Sequence, residues 1–197
     1  MTILVVTVGA MAQTPNNVST NKIKQRVQDF HNAEIIENDK KLAGLLTDNF
    51  NETKIDGRGV ETTASKEKIL QELRAADLPK ELRRVFSKVK LTNEITDFSA
   101  QESDGKAVFK YNLTKHSQLK ISKDSSDELK KIERFEVVGT SILRNGKWLL
   151  DSIQITFAPA KNIEEARNEI DDAFRFDMAL VMLMAEAQAK KSERKPN

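Results

Sequence analysis

The sequence predicts an α+β fold, with helices first and an antiparallel sheet after them, and three observations carry that prediction. Apolar residues recur at helical spacing as far as Leu73 and then alternate in steps of two between Val85 and Phe157. Tight-turn dipeptides, Asp104-Gly105 and Asn145-Gly146, cut the alternating region into hairpins. After Pro159 the pattern becomes helical again.

Residues 2–12 form an uncharged apolar run ending Ala10-Met11-Ala12, followed by the polar Gln13 to Asn17. Small residues at Ala10 and Ala12 match the cleavage rule of a secretory leader, although no Lys or Arg precedes the run. The β-branched Ile3, Val5, Val6 and Val8 keep a buried first strand open as the other reading. The coincidence of cleavage pattern and polar shift favours the leader, and with it export. The chain therefore divides into a leader (1–12), a linker (13–20), a main domain (21–158) and a C-terminal helix with a basic tail (159–197).

Ile23, Val27 and Phe30 define the first helix, capped by Thr20 or Asn21, with His31 beside the stripe as a surface or rim residue. Asn38-Asp39 caps a second helix that carries Leu42, Leu45 and Leu46. Phe50 to Ile55 reads as a brief strand and Asp56-Gly57-Arg58-Gly59 as a turn. Ser65 caps a third helix with Ile69, Leu70 and Leu73 inward. Strands follow at Val85 to Phe98, Ala107 to Leu113, Ile132 to Leu143 and Trp148 to Phe157. Asn162 and Glu165 form a capping box that opens a helix running to about Lys190. Within it, Met178 to Ala185 is apolar all round, so more than one side needs cover.

Composition excludes several classes of function. The 197 residues include 39% hydrophobic and 31% charged, enough apolar content for one core, with a net charge of only +2. The absence of cysteine removes disulfides, thiolate nucleophiles and Cys-ligated metals. His31 and His116 are far apart in sequence and stand in no ligand-spaced cluster, so neither a metal nor another cofactor is expected. Lys80, Arg83, Arg84, Lys88 and Lys90 make a local basic patch, but no aromatic residues interleave it and no nucleic-acid partner is expected. The longest apolar runs are too short to span a membrane, so no membrane association is expected once the leader is removed.

The stretch from Arg134 to Trp148, closing in a Gly146-Lys147-Trp148 corner, resembles the final hairpin of the NTF2-like superfamily. The helix pair before Phe50, with its Asn-Asp cap and Leu45-Leu46, fits the same pattern. That superfamily is the cone-shaped α+β fold of nuclear transport factor 2, ketosteroid isomerase and SnoaL-like cyclases. The resemblance implies a bent sheet wrapped around the N-terminal helices, with a pocket at the open end of the cone. It also makes the long helix after Pro159 an addition. In the enzymes of the superfamily a pocket carboxylate moves a proton, helped by Tyr or acid donors. Carried over, the pocket would hold Phe30, Tyr111, Trp148, Ser152 and Gln154 and accept a small apolar ligand.

Strict alternation in the last strand puts Trp148, Leu150, Ser152, Gln154 and Thr156 on one face. Leu149, Asp151, Ile153, Ile155 and Phe157 then share the other. Asp151, centred among apolar residues, is a weak candidate for a general base, and a structural ion pair accounts for it equally well. The apolar outer face needs cover, which the C-terminal helix or a twofold partner can supply. The expected interface of a homodimer therefore comprises Ile153, Ile155, Phe157, Met178, Val181 and Met182. The leading expectation is a non-enzymatic exported domain that binds a small apolar ligand or associates with itself. The alternative is a cofactor-independent isomerase, cyclase or dehydratase.

Overall fold

The structure is a computed structural model, and it describes residues 17–35, 38–75, 79–121 and 128–193. The expected leader (1–12) and the loop near Lys123 to Asp127 lie outside the described residues.

Helix α1 spans Asn17–Ile35 and starts a turn earlier than the predicted cap, since no Gly or Pro stops it there. Its stripe of Ile23, Val27, Phe30 and Ala33 is fully buried. Helix α2, Asp39–Ala43, is capped as predicted: the Lys41 amide donates to Asn38 Oδ1 over 2.9 Å. It ends at Gly44, so Leu45 lies in the turn and Leu46 opens strand β1 (Leu46–Ile55). The Asp56 carboxylate then accepts the amides of Arg58 and Val60, each over 2.9 Å, and Gly59 turns with φ of 78°. This turn leads into a strand the sequence did not reveal, β2 at Glu61–Ser65, whose five residues are polar apart from Ala64. Helix α3, Lys66–Ala75, follows with Ile69 and Leu70 buried.

A further helix, α4 at Lys80–Phe86, occupies residues read partly as the start of a strand. Pro79 sets its entry and Val85 is its buried residue, so the strand begins only at Val89. The long strands are β3 (Val89–Ser103), β4 (Lys106–Lys120), β5 (Glu128–Arg144) and β6 (Lys147–Phe157). Both predicted hairpin turns form, with positive φ at Asp104, Gly105, Asn145 and Gly146.

The six strands make one curled sheet in the order β2-β1-β6-β5-β4-β3. All pairs are antiparallel except β1 with β6, a parallel contact that the reading of four consecutive hairpin strands did not anticipate. Helix α1 lies against β3 and β6 on the inner side, where Phe50, Phe109, Tyr111, Leu113, Val137, Trp148 and Leu150 close a single core around it. The fold is an α+β cone, as predicted.

One irregularity sets the inner face. Pairing between β5 and β6 slips, so that Leu150 opposes Ser141 while Ser152 opposes Thr140, leaving Asp151 as an extra residue. This β-bulge reverses the alternation. Trp148 and Leu150 before it, and Ile153 and Ile155 after it, all face the core and are at most 3% exposed. The strictly alternating faces expected for this strand are therefore wrong beyond Leu150. Ile153 and Ile155 are core residues rather than interface residues, and Ser152 and Gln154 leave the face of Trp148.

Helix α5, Ile163–Glu193, is the addition after the cone. Its capping box forms in part: Glu165 N donates to Asn162 Oδ1 over 2.9 Å, while Glu165 Oε2 accepts from Lys161 N rather than from Asn162. The helix packs on β5 and α4. Arg134 pairs with Glu165 at 2.7 Å and with Glu169, and Lys131 pairs with Asp177 at 3.2 Å. Phe176 is its buried anchor.

Candidate functional site

The α1 stripe continues past Phe30 to His31 and Glu34, which lie one helical turn on from Val27 and Phe30 and so face the same side. His31 is fully buried, which corrects its reading as a surface residue. Tyr111 reaches it from β4, where alternation with Phe109 and Leu113 turns its side chain inward. Tyr111 Oη lies 2.7 Å from His31 Nε2, and His31 Nδ1 lies 3.0 Å from Glu34 Oε2. With Glu34 ionised, the ring carries its proton on Nδ1 and Nε2 of the neutral ring accepts the tyrosine hydroxyl. Asn93 donates to the His31 carbonyl over 3.3 Å, fixing the end of the helix against β3.

From β1, Phe50, Glu52 and Lys54 share one face and step from the core toward solvent. Glu52 is 3% exposed, its Oε2 pairs with Lys54 Nζ at 2.7 Å, and its Oε1 has no hydrogen-bond partner among the described residues. Lys115 of β4 lies with its ammonium 5.6 Å from the centroid of the Phe135 ring.

These groups perturb one another. Burial opposes charge on Glu34, but the His31 hydrogen bond, with Lys115 and Lys54 nearby, holds its carboxyl below the usual range. Burial raises the Glu52 carboxyl, assisted by the charge of Glu34 and only partly offset by Lys54. Burial and the two carboxylates push the Tyr111 phenol well above its ordinary value. The result is one carboxylate held ionised, one carboxyl biased toward neutral, and a phenol–imidazole pair between elements. That set is able to move protons. It is also shut in: His31 is fully buried and Tyr111 is 3% exposed.

The sequence missed this cluster because His31 and Tyr111 stand 80 residues apart. The available signal was the helical spacing of Ile23, Val27, Phe30, His31 and Glu34. Among the predicted pocket residues, Phe30 is sealed in the core and Tyr111 is bound to His31. Trp148 is 3% exposed and borders a shallow depression with Lys22, Arg26 and Asp29. Ser152 faces Thr140 with their hydroxyls 2.7 Å apart, and Gln154 is exposed. Asp151 is half-buried at its bulge and accepts a hydrogen bond from Thr47 Oγ1 over 2.7 Å. It contacts no other member of the His31 cluster. An open groove borders Ile23, Phe98, Ala100, Phe109 and Ser141, away from that cluster. Phe157 is 41% exposed, edge-on to Phe135. His116, the other histidine, is half-buried on β4 and stands 3.5 Å from Glu94.

The second feature is the free side of α5. Opposite the side anchored by Phe176, the exposed residues Ile170, Phe174, Met178, Val181 and Met182 form an apolar stripe, and Phe174 is 66% exposed. Met178 to Ala185 was expected to be covered on more than one side; within a single chain only one side is covered. Among the described residues no group of His, Asp or Glu is arranged to hold a metal ion, and no helix is long and apolar enough to cross a membrane.

No family model matches this sequence, and no curated protein matches it. Solved structures do match its shape. An NTF2-like protein from Cytophaga hutchinsonii aligns with a TM-score of 0.50 at 15% identity, over 70% of this chain and 97% of that one. A putative dehydratase from the NTF2-like family of Streptomyces avermitilis aligns with a TM-score of 0.54 at 11% identity, over 75% and 100%. The CamKII hub homology domain of Chlamydamonas reinhardtii aligns with a TM-score of 0.53 at 13% identity, over 71% and 98%. The cone of helices inside a curled sheet, built here around the α1 stripe, is the NTF2-like fold.

Proposed function

We propose that this chain is an exported, non-enzymatic association domain whose partner is a second copy of itself. The observation that carries the reading is the apolar stripe on the free side of α5. A helix already anchored by Phe176, Arg134 and Lys131 needs no second greasy side for its own stability. Such a stripe in water marks an association surface. Met178, Val181 and Met182 belong to it, whereas Ile153 and Ile155 do not. The similarity in fold to a hub homology domain supports the reading. The closed packing around His31 and Tyr111 supports assembly over turnover.

Sedimentation equilibrium at micromolar concentration tests it. A dimer is expected, with conversion to monomer in the double variant Phe174→Glu, Met178→Glu at unchanged circular dichroism. A monomeric wild type, or a dimer indifferent to both substitutions, overturns the reading. Export is tested separately by cell fractionation and sequencing of the mature N-terminus, which should begin just after Ala12.

The perturbed carboxyls favour a second reading, a proton-transferring isomerase or dehydratase that uses Glu52 with the His31–Tyr111 pair. Similarity in fold to a putative dehydratase agrees with it. Because the pair is closed off, α1 would have to move to admit substrate. Turnover of a hydroxy-carbonyl or unsaturated-ketone panel that is abolished in Glu52→Gln would establish it. A small apolar ligand has its best opening in the groove beside Phe98 and Phe109, which a fluorescence titration does not read directly, since Trp148 lies elsewhere.

A further inference from the structure

Taking the association reading as its basis, we infer that two α5 helices pair antiparallel about a twofold axis at Phe174. The argument rests on the order of residues along the exposed stripe and on the distribution of charge along the helix.

The stripe is self-complementary about Phe174. Ile170 lies four residues before it and Met178 four after, both exposed and apolar. Further out, Ile163 lies eleven residues before and Ala185 eleven after. An antiparallel pair centred there sets Phe174 against its own copy, Ile170 against Met178 and Ile163 against Ala185. A parallel pair sets each residue against itself and brings both Met178 to Ala185 segments together at one end.

Charge decides between the two. From Ile163 to Asp177 the sequence carries six acidic residues and two arginines, a net −4. From Met178 to Asn197 it carries two acidic residues and four basic ones, a net +2. Parallel pairing stacks acidic on acidic and basic on basic, which costs free energy along the whole contact. Antiparallel pairing matches the acidic half of one copy with the basic half of the other. It also places Arg175, one residue past the axis, beside Asp171 and Asp172 of the second copy. Helix dipoles oppose each other in that arrangement as well. The opposite side of each helix remains on its own β5 and α4, so the two cones flank the helix pair without exchanging elements.

The chain contains no cysteine, so single substitutions report the pairing cleanly. Phe174→Cys, Ile170→Cys and Met178→Cys are each oxidised mildly, alone and in mixtures, after sedimentation has given the oligomeric state. Disulfides form only where Cα atoms approach within about 7 Å. Antiparallel pairing predicts that Phe174→Cys links to itself in most of the protein. It predicts that Ile170→Cys and Met178→Cys link mainly when mixed, with several-fold less linking by either alone. Self-linking of both Ile170→Cys and Met178→Cys indicates parallel pairing and overturns the inference while leaving association intact. A dimer that links at none of the three places the contact elsewhere and overturns it too. A monomer removes the association reading itself.

Discussion

Nε2 of His31 and Oη of Tyr111 meet at 2.7 Å inside the cone, a contact that ties the end of α1 to the middle of β4. It closes a chain of polar groups running through His31 Nδ1 to Glu34 at the edge of the core. In a protein whose other interior contacts are mostly non-directional, this hydrogen bond fixes how α1 is rotated against the sheet.

Removing one end should show that cost. Tyr111→Phe keeps the ring stacked on Phe98 and Phe109 but leaves the imidazole nitrogen buried without its partner. The expected loss is about 1–3 kcal/mol in denaturant unfolding. In the double variant with His31→Leu the two losses should sum to less than their separate values, because both remove the same contact. Strict additivity would show that the contact contributes nothing.

Gly139 is required by the packing of its neighbours. A Cβ there would stand 2.6 Å from the Ser152 carbonyl oxygen and closer still to the Phe109 ring. Since one obstacle is backbone, trimming the ring cannot fully relieve it. Gly139→Ala is expected to cost more than about 2 kcal/mol, and Phe109→Leu to restore only part of the loss, as read by thermal unfolding. Wild-type stability in Gly139→Ala would show that the sheet relaxes there freely.

Stability should respond to pH through Glu52. Burial raises its carboxyl pKa in the folded protein, so the folded state favours the protonated form. The stability tied to that proton is complete below the ordinary carboxylate range and is lost as pH rises through the raised value. Glu52→Gln removes the ionisable group while keeping its shape. The variant should melt roughly 2–4 °C above wild type near neutrality, with the gap closing toward pH 4. A gap independent of pH would point to packing instead.

Asp151 is expected to matter as a position more than as a chemical group. Asp151→Asn keeps the bulge and the Thr47 contact and should cost under about 1 kcal/mol. Deleting residue 151 restores regular alternation, which forces either Trp148 and Leu150 or Ile153 and Ile155 out of the core. That deletion should fail to give a cooperative unfolding transition. A folded deletion variant would mean the strand can re-register.

The bulge also explains why the sequence was readable in some places and not in others. Tyr111 sits in a strand whose alternation is unbroken, and its inward face is evident from Phe109 and Leu113. In β6 the same rule misplaced Ile153, Ile155, Ser152 and Gln154, because one extra residue inverts every side chain beyond it. Nothing local in Leu150-Asp151-Ser152 announces the insertion; the pairing with Thr140 and Ser141 creates it. Strand β2 escaped notice for a related reason. Its residues are mostly polar and exposed, so its place depends on hydrogen bonds to β1 and on the turn held by Asp56.

The sequence by itself determined the class of fold, the two tight hairpins, the caps at Asn38, Ser65 and Asn162, and the inward stripe of α1. Each follows from interactions among residues a few positions apart, where spacing and backbone preference suffice. Only the tertiary structure decided the parallel meeting of β1 with β6, the inverted face after Asp151, the buried His31–Tyr111–Glu34 chain and which side of α5 faces solvent. Those depend on which distant segments come to lie against each other, and burial, which sets the charge of Glu52 and the exposure of Phe174, exists only once they do.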